Sequence, residues 1–224
     1  MKPKFIKIVN NPDTSFHVAR FTDKHFVVPW HFHPELELNY IIKSTGTRFV
    51  GDHIDRFSPG ELTLVGSGLP HLWKNDSDYY LPGSKKKVDA IVIRFSSGNM
   101  GLNRTDMPEM EDVLKLLQLA KRGMIINGPV KDAVTHRMNS LLLESGLQRY
   151  ISLLTILDLI SHNRNYGLLS SEGFMPGTRA EDAQRINVVC DLILKNLQKA
   201  VGVRWQISAI SSNLISERKL VRRN

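Results

Sequence analysis

The sequence predicts a mainly β sandwich or barrel followed by a helical segment. Three observations carry that prediction. Short runs of β-branched and aromatic residues fill the first hundred positions, and Gly, Pro and Asp turns separate them. After Ser97-Gly98 the apolar period lengthens to that of helices.

Phe16-His17-Val18-Ala19-Arg20-Phe21 opens the strand region and leads into Phe26-Val27-Val28. Leu36 to Ile42, Thr47 to Val50, Glu61 to Val65 and Ala90 to Phe95 follow, with turns at Gly46, Gly51-Asp52, Ser58-Pro59-Gly60 and Gly66-Ser67-Gly68. Strands this short at this spacing indicate a sandwich or barrel. The polar insert from Lys74 to Lys87 reads as an exposed loop. Pro108 to Arg122 carries an apolar stripe at Met110, Val113, Leu114 and Leu117, and Gly123 stops it. Pro129 opens a second helix with Val134, Met138 and Leu141 on one face. The run from Leu147 to Ile160 is apolar on more than one side and calls for a core or a partner around it. Ser161 to Ala180 reads as a linker, and a further helix is expected from about Glu181 to Leu197.

The 224 residues suffice for one large or two small domains. A single cysteine, Cys190, rules out an internal disulfide and accords with a cytoplasmic protein. In its helical setting it reads as a small core hydrophobe rather than a nucleophile. No run is apolar enough for a signal peptide or a membrane span. The net charge of +8 is uneven. Residues 185–224 hold eight basic and two acidic side chains, or +6, which suggests a segment facing nucleic acid or else a solvated tail.

The chemistry concentrates in residues 31–75. Side chains alternate along a strand, so His31, His33, Glu35 and Glu37 share one parity and can point inward together, and His71 lies where the chain can return to them. Imidazole and carboxylate are ordinary ligands for divalent metals. The same groups would otherwise line a polar pocket and hydrogen-bond a bound molecule. Trp30 and Trp73, next to His31 and His71, could frame the pocket mouth, with Tyr40, Phe49 and Arg94 as further lining. No nucleophile elbow, Walker loop, dinucleotide fingerprint or cysteine cluster is present.

HFHPELELNYI, followed by GTRFVGDHIDRFSPGELTLVGSGLPH, resembles the cupin sensor domain of the AraC/XylS family of bacterial transcription regulators. His31, His33 and Glu37 match the first cupin motif; Pro59-Gly60, His71 and Asn75 match the second. The resemblance implies a cupin (double-stranded β-helix, or jelly-roll) domain over 1–98 and an α-helical connector that dimerises over 99–180. A partial helix-turn-helix region is implied over 181–224, with its second unit missing. It implies a ligand-responsive regulator and not an enzyme. The pocket residues His31, His33, Glu35, Glu37, His71, Trp30 and Trp73 would take a small-molecule effector, sugars being one class. No cofactor would be required, although a divalent metal on His31, His33, Glu37 and His71 is permitted. Arg204, Arg218, Lys219, Arg222 and Arg223 would meet DNA, with binding impaired by the shortened C-terminal region. The implied partners are the effector, DNA and a second copy of the chain. A metal-dependent cupin oxygenase or isomerase using His31, His33, Glu37 and His71 is the alternative.

Overall fold

The computed structural model describes residues 3–6, 14–103 and 105–174. Alternation in Phe16–Asp23 (β2) and Val88–Phe95 (β9) sends every second side chain inward, and the two strands pair antiparallel along their full length. Leu36–Lys43 (β4) joins the other edge of β9, and Leu62–Val65 (β7) joins β4. Two three-residue strands, Met124–Ile126 (β10) and Tyr166–Leu168 (β11), extend this sheet beyond β7 to the order β11-β10-β7-β4-β9-β2.

The second sheet runs β1-β3-β8-β5-β6, built from Lys4–Phe5 (β1), His31–Phe32 (β3), Gly46–Val50 (β5), His53–Phe57 (β6) and His71–Asn75 (β8). Its pairs are antiparallel except β1 with β3. The sheets face each other over Ile41, Val65 and Ala90 from one and Val50, Phe57 and Trp73 from the other. They share no strand pairing among the described residues. The result, among the described residues, is two facing β-sheets with three helices.

Those helices are Glu111–Leu119 (α1), Val130–Leu141 (α2) and Gly146–Ser161 (α3). They cover the outer face of the six-stranded sheet. Val113, Leu116, Val134, Met138, Leu153, Ile156 and Leu157 form one core with Leu36, Leu38, Leu62, Leu64, Ile91, Ile93 and Phe95 of the strands. A buried aliphatic side chain of this kind stabilises by roughly 1.5–3 kcal/mol. The sheet thus has two working faces. The residues at 36, 38 and 40 in β4 meet the helices, while those at 37, 39 and 41 look into the space between the sheets.

Several sequence expectations change here. Phe26 to Val28 is no strand, and Val27 lies 60% exposed. The linker expected from Ser161 contains β11, and β10 follows directly on Gly123. Tyr40 packs towards the helices rather than into the inter-sheet space. The helix at 181–197, the helix-turn-helix region, Cys190 and the DNA-facing Arg204, Arg218, Lys219, Arg222 and Arg223 lie outside the described residues. Among the described residues no helix is long and apolar enough to cross a membrane.

Candidate metal centre

His31 and His71 are register partners across β3 and β8, so strand pairing alone puts their rings 4.2 Å apart. His33, one residue past β3, brings its ring within 5.0 Å of His71 and 5.6 Å of His31. All three rings are buried, and each offers a ligand atom within 4.8 Å of the others. Glu37 enters from β4 of the facing sheet. Its Oε2 lies 3.2 Å from His33 Nε2, and its Oε1 lies 3.6 Å from His71 Nε2.

The hydrogen bonds decide which nitrogens face inward. Nδ1 of His31 meets the carbonyl of Pro29 at 2.8 Å, Nδ1 of His71 meets that of Leu69 at 2.8 Å, and Nδ1 of His33 meets that of Glu35 at 3.2 Å. A carbonyl only accepts, so each Nδ1 carries the proton, and in the neutral ring each Nε2 presents a lone pair. Orientation of a metal-ligating imidazole through its other nitrogen is the usual outer-shell device. Burial drives His71 down to about 3, with His31 and His33 adding to the shift against Glu37, so this ring is neutral at ordinary pH. Burial also lowers His31. The buried Nε2 of His71 has no hydrogen-bond partner. Lone pairs at Nε2 of His33 and His71 therefore face carboxylate oxygens, an arrangement that requires either an added proton or a cation between them.

Burial on its own would raise the Glu37 carboxyl. His33, His71 and Arg94 reverse that and hold it well below the usual carboxylate range. Its Oε1 accepts from Asn39 Nδ2 at 2.8 Å, and its Oε2 accepts from Arg94 Nε of β9. The donor set of three imidazoles beside a carboxylate suits a divalent metal such as zinc, iron, manganese or nickel.

The remaining expected residues fall into different places. Glu35 is buried but approaches His33 from the Nδ1 side, at 3.4 Å, away from the converging nitrogens. Trp73 packs edge-on against His71 at 5.8 Å. Trp30 is buried, with its indole N–H unpartnered. Asn75 ties loops together, donating to Ser44 Oγ and accepting from the Phe26 amide. Three residues gained importance only in the structure. Asn39 orients Glu37, while Arg48 and Glu61 form a buried ion pair that spans the two sheets.

The expectation that the chain is not an enzyme is overturned by this cluster. His31, His33 and His71, with Glu37 ion-paired beside them, form a potential metal-binding catalytic site.

No protein-family model matches the chain, and no curated protein matches it. Among solved structures it is similar to a cupin 2 conserved barrel domain protein from Salinispora arenicola CNS-205, at 14% identity and a TM-score of 0.32 over 41% of this chain and 74% of that one. It is also similar to the AraC-like transcriptional activator CuxR, at 13% identity and a TM-score of 0.43, covering 74% of this chain. A third is fatty-acid-bound ToxT from Vibrio cholerae, at 12% identity and a TM-score of 0.38, covering 68% of this chain. The chain spans 57% of the CuxR chain and 53% of the ToxT chain. These are similarities to cupin-barrel proteins and to AraC-like regulators at low identity.

Proposed function

We propose that this chain is a metal-dependent enzyme of the cupin type, of the oxygenase or isomerase class, with a divalent cation held by His31, His33 and His71. One observation carries the reading. Three buried imidazoles have their Nδ1 atoms committed to backbone carbonyls, and their ligand atoms converge within 4.8 Å. Glu37 supplies negative charge beside them, and its depressed pKa keeps it ionised. When bound, the metal supplies Lewis acidity to an oxygen of the substrate. The protein holds the histidines in one tautomer, excludes bulk water by burial, and places Arg94 and Asn39 around the carboxylate.

The test is metal stoichiometry and affinity in the purified protein, together with a screen for turnover of small oxygenated substrates. We expect one divalent ion per chain, and a loss of affinity of about a hundredfold or more on His33→Ala or His71→Ala. A protein that takes up no divalent metal would sink the reading.

A second reading keeps the same centre as a sensor within a dimeric DNA-binding regulator, responding to a small molecule of the sugar class. The wording of residues 31–75 and the +6 charge over residues 185–224 favour it. Its test is selective duplex binding at controlled salt, since charge alone gives only salt-sensitive, non-selective attraction.

A further inference from the structure

One turn, between β7 and β8, steadies two histidines of the centre. The Gly68 amide donates to the His33 carbonyl at 2.8 Å, and Ser67 Oγ donates to the Pro34 carbonyl at 2.6 Å. The Leu69 carbonyl takes the Nδ1 proton of His71 at 2.8 Å. Residues 67–69 therefore fix the backbone that carries one ring and the tautomer of another. The turn has support of its own on the opposite side. A Cβ on Gly123 would lie 2.7 Å from Val50 Cγ1, 3.2 Å from Leu69 Cδ2 and 3.4 Å from Leu169 Cδ1, so these three side chains close on one stretch of backbone. Val50 is also the register partner of His71, and the Gly51 amide donates to the Pro70 carbonyl at 2.9 Å.

Leu169 belongs to a strap, residues 169–174, that follows β11. Its amide donates to the Gly123 carbonyl at 3.0 Å, and the Ser170 amide donates to the Arg122 carbonyl at 2.7 Å. Further along, the strap is pinned to the turn after β5. Ser171 donates to the Asp52 carboxylate twice, through its amide at 2.9 Å and its hydroxyl at 2.5 Å. A Cβ on Gly51 would lie 2.7 Å from Ser170 Cβ, so the two segments are in close contact there as well. The strap thus reaches His71 by two routes, through Leu169 and Leu69 in one packed cluster and through Asp52 and β5. Of the strap only Leu169 and Ser170 are buried, whereas Asp52, Ser171 and Glu172 are exposed. A segment held by few buried side chains and by exposed bonds opens at lower free energy than the sheets beneath it. Opening withdraws Leu169, and with it the support under the carbonyl that holds His71.

From this geometry we infer, resting on the metal centre proposed above, that the 169–174 strap is a latch coupled to occupancy of that centre. Closed, it supports the placement in which His33 and His71 bind the ion; open, it lowers their affinity. Coupling is reciprocal, so the ion favours the closed latch by the same factor as the closed latch favours the ion. Asp52 is a positioning residue here, because it acts on the histidines through the strap. In the sequence the strap stands between the centre and the basic residues 185–224, so occupancy of the centre sets the state of the segment that leads to them.

Hydrogen exchange of the full chain with and without zinc(II), together with calorimetric zinc titration, tests this. Zinc is expected to slow exchange at the amides of Leu169, Ser170 and Ser171 by about fivefold or more. Asp52→Ala is expected to speed exchange at the same amides in the metal-free protein and to leave α2 unchanged, which marks the opening as local. Asp52→Asn, whose amide oxygen still accepts from the Ser171 amide, is expected to restore most of the protection. Asp52→Ala combined with Leu169→Ser is expected to weaken zinc binding about fivefold or more. A strap of merely structural value would lower the Tm of that double variant and leave its zinc affinity at the wild-type level, and this result overturns the inference. So does exchange at 169–171 that is indifferent to saturating zinc in the wild-type protein, a result that needs no variant to fold. In both cases zinc still binds and the metal-dependent reading stands, whereas a wild-type chain that takes up no zinc overturns that reading and the coupling with it.

Discussion

At the residue scale, the cost of burying imidazoles without a cation sets how the metal-free protein responds to acid. His71 is held near 3 by burial, while in the unfolded chain it titrates near 6.5. Below 6.5 the unfolded chain takes up a proton that the folded chain refuses, so stability is full above 6.5 and declines towards 3. The loss is about 1.4 kcal/mol per pH unit. His31, also lowered by burial, acts in the same direction. Urea midpoints of the metal-free protein should therefore fall between pH 7.5 and pH 5.5, and fall less in His71→Phe; a flat profile would contradict the assignment. The Arg48–Glu61 pair makes a second residue-scale prediction. Glu61→Leu leaves a buried guanidinium unpaired and should cost about 3–5 kcal/mol, whereas Arg48→Met with Glu61→Leu should recover most of it in a denaturation cycle. The histidines were legible in the sequence because they sit in a short motif and a matching return. The charge pairs were not. Arg94 is 57 positions from Glu37, and only the β4–β9 register makes them neighbours.

At the element scale, the long alternating strands β2, β4 and β9 and the periodic helices α1 and α2 could be read directly, since their burial pattern lies within each segment. β3, β10 and β11 could not. Two or three residues are too few to show a period, and they become strands because a neighbouring edge offers unpaired backbone groups: β7 to β10, and β10 in turn to β11. α3 was expected to be surrounded. Instead Leu153, Ile156, Leu157 and Ile160 are buried while Leu147 and Ile151 are exposed, so one apolar side faces outward. The junction between β7 and the turn after α1 depends on Gly66. A Cβ there would lie 2.4 Å from the backbone oxygen of Ala120, which cannot swing aside. Gly66→Ala should therefore cost upwards of about 2 kcal/mol in chemical denaturation. Gly68→Ala meets nothing within 4 Å and carries only the strain of φ +72°, about 1–2 kcal/mol. Equal costs at the two sites would refute the close-approach account.

At the scale of the whole molecule, the centre takes its groups from both sheets. The imidazoles come from β3, the residue after it, and β8; Glu37, Asn39 and Arg94 come from the facing sheet. An unfolded chain scatters these positions over more than sixty residues, so a divalent ion binds the folded state in strong preference. Mass action then converts occupancy into stability: at free metal a hundred times Kd the gain is about 2.7 kcal/mol. For a chain of this size that corresponds to a rise in Tm of about 5–10 °C. Chelation should reverse the rise, and His33→Ala should abolish it while leaving the metal-free Tm within a few degrees of the wild type. Glu37→Gln separates the two accounts of the carboxylate. If Glu37 stands outside the coordination sphere, that variant keeps most of the metal-induced rise; if it is a ligand, the rise disappears with the charge. Thermal melts of the wild type and both variants, with and without metal, read all of these differences on the intact fold.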